Sequence, residues 1–189
     1  MKFKITLKID RKYGDLLPFN YQYEQSAVIY RILAQADTQY SSWLHENGYL
    51  LHERKRFKLF CYSPFIFEKV RPLPEAGCLK IIGERAVWYI SFIPEKSTLE
   101  FIQGIFAHQS FTIGNKKYQV AFDVVGVEAI PMPQLSEEMT FVALSPICVK
   151  LHEDNKTQYL SPDNPMFVEG VLKGLMARYE SIHGQPFNM

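Results

Sequence analysis

The sequence predicts an α+β fold in which a ferredoxin-like domain, with the element order β-α-β-β-α-β, is followed by the start of a second such unit. Strand and helix periodicities alternate in that order over residues 2–130. A Pro- and acid-rich segment, residues 131–138, is typical of a linker, and a strand and a helix then begin again. We therefore predict two domains, residues 1–133 and an incomplete unit at residues 139–189.

The composition is that of a globular protein. Of 189 residues, 47% are hydrophobic, which excludes wholesale disorder. The chain has 21 basic and 20 acidic residues, which gives a net charge of +1. A nucleic-acid-binding surface would therefore require local clustering of basic residues. The three cysteines lack paired spacing, which indicates free thiols in a reducing compartment.

The sequence shows no targeting or membrane signal. The N-terminus alternates charged and apolar residues, unlike a signal peptide. No apolar run approaches the roughly 20 residues that span a bilayer. We expect a cytoplasmic protein without a membrane partner.

The first strand is predicted from a period of two, because Phe3, Ile5, Leu7 and Ile9 share one face. The following amphipathic helix is predicted from the stripe that ends the segment NYQYEQSAVIYRILAQAD. Its apolar residues recur at the spacing i, i+3, i+4, i+7, namely Ile29, Ile32, Leu33 and Ala36.

A second, short helix should follow directly. Asp37 is predicted to cap it, Tyr40, Trp43 and Leu44 to form its apolar residues, and Gly48 to end it. Residues 57–65 are β-rich and predict one strand that stops at Pro64.

The remaining elements of the first domain are two strands, a helix and two further strands. Residues 79–93 predict two strands around a Gly83–Arg85 turn. A capping-box pattern, Ser97 and Glu100, predicts the start of a helix. The last strands flank a turn at Gly114-Asn115 and end near Ile130.

The second half repeats only the beginning of this order. Residues 139–151 are strand-like. A helix is predicted over residues 166–183 from the preceding Pro162, Asp163 and Pro165. Two elements cannot bury a core comparable to that of the first domain. We therefore expect the front of a repeat whose remainder is absent from this sequence.

The tripeptide Leu-His-Glu occurs twice, around His45 and His52, and allows three interpretations. A metal site is not expected, because Tyr49 stands where the zinc-protease pattern His-Glu-x-x-His requires its second histidine. An acid–base histidine beside a phosphate grip is the second interpretation, since the densest cationic segment, Arg54 to Arg56, follows. The third is a helix-end histidine and a solvated basic loop. Spacing alone leaves the last two open.

Two further features remain ambiguous from the residues alone. Tyr30 lies one position off the apolar stripe, where a tyrosine that flanks the core with its hydroxyl outward is common. Lys116 and Lys117 form a second cationic spot that is expected to be exposed.

Four segments follow one another in a fixed order along the chain. They are NYQYEQSAVIYRIL (20–33), WLHENGY (43–49), FKLFCYSPF (57–65) and TFVALSPICVK (140–150). Together they resemble the CRISPR-associated family-six endoribonucleases of the RAMP superfamily, which process precursor CRISPR RNA. The resemblance runs over residues 1–189 and implies two ferredoxin-like domains in tandem.

The resemblance also implies a metal-independent, cofactor-free endoribonuclease that cuts CRISPR repeat RNA. Its tyrosine, histidine and lysine triad would be Tyr30, His45 and Lys58. The 2′-OH beside the scissile phosphate would attack and leave a 2′,3′-cyclic phosphate and a 5′-OH. The residues expected to bind RNA are His52, Arg54, Lys55, Arg56, Lys116 and Lys117.

Alternative functions stay open at this point. One is a non-catalytic RAMP subunit that holds CRISPR RNA in an effector complex, and another is a protein–protein scaffold. Other CRISPR effector subunits and a second copy of the chain, forming a homodimer, are further partners to test. Family members continue beyond this length and carry a glycine-rich, RNA-contacting loop near the C-terminus, which this sequence does not contain.

Overall fold

Alternating side chains build the centre of the main sheet. In this computed structural model, which describes residues 1–51, 55–143, 146–153 and 156–188, the first strand spans Lys2–Asp10. Its four apolar side chains, predicted to share a face, are at most 4% exposed. The period of two is therefore confirmed.

The elements are numbered in chain order. The strands are β1 Lys2–Asp10, β2 Leu16–Pro18, β3 Tyr49–Leu51, β4 Lys55–Phe57, β5 Phe60–Tyr62, β6 Ile66–Phe67, β7 Val70–Leu73, β8 Cys78–Ile81, β9 Arg85–Phe92, β10 Ser110–Gly114, β11 Gln119–Ile130, β12 Val149–Glu153 and β13 Lys156–Leu160. The α-helices are α1 Gln22–Ala36, α2 Thr38–Glu46, α3 Glu95–Ala107 and α4 Pro165–His183.

The chain divides into two compact units, each made of two segments. Unit 1 consists of Met1–Glu46 and Phe60–Ser136, and unit 2 consists of Asn47–Leu59 and Glu137–Met189. Residues 47–59 thus leave the first unit and contribute to the second. The domain limits 1–133 and 139–189 stay a prediction.

Unit 1 contains an antiparallel sheet in the order β10-β11-β1-β9-β5, and β6 also pairs with β9. Without the edge strand β10, the order is that of a ferredoxin-like sheet, in which the last and third strands flank the first. The ferredoxin-like α+β prediction is confirmed. The turn between β10 and β11 lies where Gly114-Asn115 predicted it.

Helices α1 and α3 pack against each other at backbone distance. A Cβ atom on Gly104 of α3 would lie 1.8 Å from the carbonyl oxygen of Ile32 in α1, so only glycine fits this crossing. Of the predicted apolar stripe of α1, Ile29, Ile32 and Leu33 are buried and Ala36 is half-buried. Val28, which the stripe did not include, is buried as well.

Helix α2 begins and ends as predicted. The Asp37 carboxylate accepts a hydrogen bond from the backbone N–H of Tyr40 at 2.8 Å, the geometry of an N-terminal cap. That hydrogen bond and a second one from Lys96 lower the pKa of Asp37. The helix ends at Glu46, and Gly48 has φ +66°.

The capping-box prediction for the third helix is wrong. Helix α3 begins at Glu95, with Pro94 as its N-terminal cap, so Ser97 already lies inside the helix. Its side chain is fully buried and hydrogen-bonds the Tyr40 hydroxyl. Tertiary packing uses the serine that the local pattern assigned to capping.

The two strands around residues 83–85 form, but they enter different sheets. Strand β8 pairs with β2 and β7 in a three-stranded sheet, whereas β9 lies in the main sheet. They are therefore consecutive in sequence without forming a hairpin.

The single strand predicted at residues 57–65 is wrong. Strand β4 ends at Phe57, and Leu59 then adopts a φ of +55°, which is uncommon for a residue other than glycine. The chain resumes as β5 and, beyond Pro64, as β6, and both pair with β9. The break at Leu59 coincides with the boundary between the two units.

Unit 2 contains two hairpins, β3–β4 and β12–β13, and helix α4. The predicted helix over residues 166–183 is confirmed, with the Asn164 side chain accepting from the N–H of Met166 at 2.9 Å. Within the described part of residues 139–151, the strand begins only at Val149, and β13 was not predicted. No helix in the described ranges combines the length and apolarity needed to cross a bilayer.

Candidate functional site

Tyr30 and His45 meet because consecutive helices place them side by side. Tyr30 lies in α1 and His45 in the last turn of α2. The Ser41 hydroxyl donates a 2.8 Å hydrogen bond to the Tyr30 carbonyl, which ties α2 to α1. The two rings lie edge to face, with centroids 5.0 Å apart and planes at 83°. The structure thus brings two of the three predicted catalytic side chains together.

The phenol of Tyr30 packs against Phe60 in an aromatic cluster of unit 1. Phe60 contacts it edge to face, with centroids 5.8 Å apart, and itself packs against Phe92 and Tyr62. The Tyr62 hydroxyl donates to the carbonyl of Gln22 at 3.0 Å. Strand β5 is thereby fastened to α1 beside the candidate site.

The protonation state of Tyr30 follows from this enclosure. Burial raises the pKa of the Tyr30 phenol, and the nearby Tyr62 raises it further. At neutral pH the side chain is therefore a phenol that can donate a proton or a hydrogen bond. His45, in contrast, is exposed at the end of its helix, where a bound ligand can reach the imidazole.

Lys58 belongs to unit 2 and passes over Gly48. A Cβ atom on Gly48 would lie 3.2 Å from Cδ of Lys58 and 2.6 Å from the carbonyl oxygen of Phe57. The glycine therefore makes room for the lysine side chain. Burial lowers the pKa of Lys58, and the charge of Arg56 lowers it further. The approach of Lys58 to Tyr30 and His45 stays a prediction.

The predicted RNA-binding residues fall into separate groups. His52 and Arg54 lie outside the described residues. Lys55 and Arg56 are exposed on β4 in unit 2. Lys116 and Lys117 are exposed in the turn between β10 and β11 of unit 1, where the N–H of Lys117 donates to the Asn115 side chain at 2.8 Å. Their binding of RNA stays a prediction.

Unit 2 also contains a groove of about 580 Å³ that the sequence did not indicate. Its lining combines apolar side chains with charged ones. The charged residues are four cations and one carboxylate, namely Lys55, Lys150, Lys173, Arg178 and Glu169. Lys173 pairs with Glu169 at 2.5 Å. The Arg178 guanidinium lies 5.2 Å from the ring centroid of Phe57, which joins α4 to the β3–β4 hairpin.

Sequence reasoning therefore missed two sets of residues. Phe60 and Tyr62 carried a usable signal, because they alternate along the β-rich segment 57–65 and so share one strand face. Of the basic residues of the groove, Lys55 was predicted to bind RNA, whereas Lys150, Lys173 and Arg178 carried no signal, since β12 and α4 are distant from Lys55 in sequence.

Within the described ranges, no three His, Cys, Asp or Glu side chains group around a common point. His52 lies outside those ranges. Its role stays as open as the sequence left it.

Two family models match the chain. The first, described as CRISPR-associated protein Cas6, N-terminal, matches residues 16–122. The second, described as CRISPR associated protein Cas6, C-terminal, matches residues 130–189. Between them the matches cover most of both compact units.

Curated relatives extend over nearly the whole chain. The CRISPR-associated endoribonuclease Cas6 1 of Methanocaldococcus jannaschii is 26% identical over 98% of this chain and 69% of its own length. The CRISPR-associated endoribonuclease Cas6 of Pyrococcus furiosus is 24% identical over 97% of this chain and 66% of its own length. The chain thus spans about two thirds of the relatives it matches.

Solved structures show the same fold. One described as an RAMP protein binding different RNA substrates aligns with a TM-score of 0.77 at 25% identity, over 98% of this chain and 73% of that one. A second, from a Cas6-related gene of Pyrococcus furiosus, aligns with a TM-score of 0.79 at 24% identity, over 100% and 73%.

Proposed function

The chain belongs to the Cas6 family of CRISPR-associated proteins, and on that premise we propose that it is a metal-independent endoribonuclease that cleaves CRISPR repeat RNA. The contact between Tyr30 and His45 is the observation that carries this proposal. It places an exposed imidazole against a phenol whose pKa is raised, and such a pair can move two protons in opposite directions.

The chemistry is a transesterification within the RNA. The 2′-OH attacks the neighbouring phosphorus, and His45 accepts its proton. As the phosphorus–oxygen bond to the next nucleotide breaks, Tyr30 donates a proton to the departing 5′ oxygen. The products are a 2′,3′-cyclic phosphate and a 5′-OH, and each proton transfer is worth roughly 10²- to 10⁴-fold in rate.

Lys58 has the charge-stabilising role in this proposal. Its ammonium would offset the negative charge that builds up on the pentacoordinate phosphorus, an effect of about 10²- to 10³-fold for one well-placed donor. The packing of its side chain over Gly48 supports this role, because it restricts where the ammonium can point.

RNA binding is proposed to begin with phosphate contacts in unit 2. The groove residues Lys55, Lys150, Lys173 and Arg178 supply clustered positive charge that the net charge of +1 conceals. Such contacts position a strand without reading its bases. Arg56, Lys116 and Lys117 are proposed as further phosphate contacts.

The proposal is tested with labelled repeat RNA and analysis of the cleaved ends. We expect cleavage in excess EDTA, products with a cyclic phosphate and a 5′-OH, and no cleavage when the nucleotide at the cut carries a 2′-deoxy sugar. Cleavage of the deoxy substrate would rule out attack by the 2′-OH. Binding without cleavage would instead favour a non-catalytic guide-RNA subunit, and no binding at low salt would favour a scaffold.

A further inference from the structure

Two hydroxyl groups of α2 donate hydrogen bonds to backbone carbonyls of α1. Thr38 donates to the carbonyl of Ala34 at 3.1 Å, and Ser41 donates to that of Tyr30 at 2.8 Å. Ala34 is one of the last four residues of α1, whose carbonyls lack a partner within the helix. The bond from Thr38 therefore satisfies the end of α1.

The bond from Ser41 serves another purpose. Tyr30 lies in the interior of α1, where a carbonyl already accepts an N–H of its own helix. The Ser41 hydroxyl adds a second donor to that oxygen, and Ser41 is only 6% exposed. Because the carbonyl does not need this bond, its effect lies in the orientation of α2 against α1.

Tyr30, Ser41 and His45 form a closed arrangement. Ser41 contacts the backbone of Tyr30, and the ring of Tyr30 contacts the ring of His45, with centroids 5.0 Å apart. His45 follows Ser41 by four residues, which places both on one face of α2, about 6 Å apart along its axis. The hydrogen bond therefore holds α2 one turn before the histidine, on the very residue whose ring the histidine contacts.

Other contacts keep α2 folded without this bond. Asp37 caps its first turn, Tyr40 is buried and hydrogen-bonded to Ser97, and Leu44 is fully buried. Removal of the Ser41 hydroxyl should therefore leave the helix in place. A change of orientation can then be measured apart from a loss of structure.

We propose that Ser41 is a positioning residue of the candidate site, whose bond to the Tyr30 carbonyl holds α2 in the orientation that brings the His45 imidazole against the Tyr30 phenol. The inference rests on the proposed function, in which these two groups transfer protons. A misplacement of about 1 Å can cost roughly 10²-fold in rate. Ser41 thus acts on the reaction through His45.

Nuclear magnetic resonance of the His45 ring tests the orientation without RNA. The full chain is made with isotope-labelled histidine, and the His45 signals are identified among those of five histidines by their loss in His45→Ala. Tyr30→Leu gives their position without the neighbouring ring. We expect Ser41→Ala to move the signals most of the way to that position. The matched control is Ser42→Ala, a change of the exposed serine next in sequence, which should leave them at the wild-type position.

Single-turnover cleavage of labelled repeat RNA tests the consequence for the reaction. We expect Ser41→Ala to lower the rate roughly 10- to 100-fold, and Ser42→Ala to cleave at the wild-type rate. Affinity for RNA with a 2′-deoxy sugar at the cut should stay within about twofold of wild type, because the Ser41 side chain is buried. The melting temperatures of the two variants should differ by less than about 4 °C.

The outcomes separate this inference from the proposed function. If the wild-type chain cleaves, a His45 signal or a cleavage rate in Ser41→Ala equal to that of Ser42→Ala would overturn the positioning role and leave the proposed function standing. A much lower melting temperature of Ser41→Ala would do the same, since the hydroxyl would then be needed for folding. If the His45 signals move as expected but the wild-type chain does not cleave repeat RNA, the proposed function fails while Ser41 still sets the ring contact.

Discussion

The two units differ most in how they bury their helices. Helix α1 of unit 1 buries five side chains, including Val28, Ile32 and Leu33, whereas α4 of unit 2, although longer, buries only Ala177 among its described residues. Val168, Leu172 and Leu175 of α4 are about half exposed. The difference lies in what surrounds each helix, because both carry a similar number of apolar residues.

This contrast indicates how proton transfer and phosphate binding, both proposed above, divide between the two units. Proton transfer needs side chains held to a fraction of an ångström, and the Tyr30–His45 pair stands on the well-buried unit. Phosphate contacts depend on charge and tolerate looser geometry, and the groove cations stand on the open unit. Changes at the Tyr30–His45 pair should therefore alter chemistry, and changes at the groove cations should alter affinity. Lys58 is the proposed exception, because it lies in unit 2 and acts on the rate.

The largest expected effect is on chemistry. His45→Ala should lower the single-turnover cleavage rate by at least ~10²-fold while RNA affinity changes only a few-fold, because a proton acceptor is lost without a phosphate contact. Tyr30→Phe, which keeps the ring against His45, should cause a loss of similar order. The matched control is His108→Ala, another exposed histidine of unit 1, which should cleave at the wild-type rate. A rate for His45→Ala equal to that of the control would remove His45 from the mechanism.

The next effect is on stability, and it is measured with a glycine-to-alanine substitution in one helix of each unit. Gly104→Ala should destabilise unit 1 by about 2–3 kcal/mol, because its Cβ would overlap the Ile32 carbonyl. Gly174→Ala should stabilise α4 by roughly 0.5–1 kcal/mol through helix propensity, since its Cβ meets only the flexible end of Arg178, at 3.2 Å. Urea unfolding followed by Trp88 fluorescence for the first variant and by helical circular dichroism for the second measures both. Equal destabilisation by the two variants would contradict the contrast.

The third effect is a pH dependence that involves both units. Lys58 has a lowered pKa, so its positive charge is present below that pKa and is lost as the pH rises through it, before an ordinary lysine at 10.5 would lose its charge. The raised pKa of Tyr30 keeps the phenol protonated beyond 10.0. Cleavage by the wild-type chain should therefore fall on the alkaline side first through Lys58.

The matched variant for this prediction is Lys58→Arg. A guanidinium stays charged throughout the range, so the alkaline fall in rate should move to higher pH. The measurement is single-turnover cleavage against pH, corrected for RNA hydrolysis without protein. An unchanged alkaline limb in Lys58→Arg would mean that another group sets it.

The smallest effect is on salt dependence. Lys150→Gln and Lys173→Gln should each weaken RNA binding and reduce the slope of log affinity against log salt by about one, while bound RNA is still cleaved. The comparison is Lys69→Gln, a basic residue of unit 1 that is exposed and outside the groove. Slopes that match those of the Lys69 variant would exclude the groove from the RNA path.

Much of unit 1 followed from local periodicity, because its elements satisfy their own patterns. The alternation in β1, the stripe of α1 and the Asp37 cap all formed as predicted. The errors arose where tertiary packing overrode the local pattern. Ser97 was drawn into the core by Tyr40, and the positive φ of Leu59 divided a β-rich run that has no glycine.

The candidate site shows the same limit. Tyr30 and His45 were proposed from a family resemblance, and the structure places their rings in contact. The groove depends on β12, α4 and β4 coming together across the chain, which no local spacing predicts. The approach of Lys58 to Tyr30 and His45 also stays a prediction.

Residues 47–59 belong to unit 2 although they are translated between two segments of unit 1, and this order affects folding during synthesis. On the ribosome, the β3–β4 hairpin emerges about 100 residues before α4, the helix that lies against it. At roughly 5–20 residues per second, that gap corresponds to a wait of about 5–20 seconds. During this time unit 1 can fold while the hairpin, in which Leu50 is exposed, still lacks the helix of its own unit.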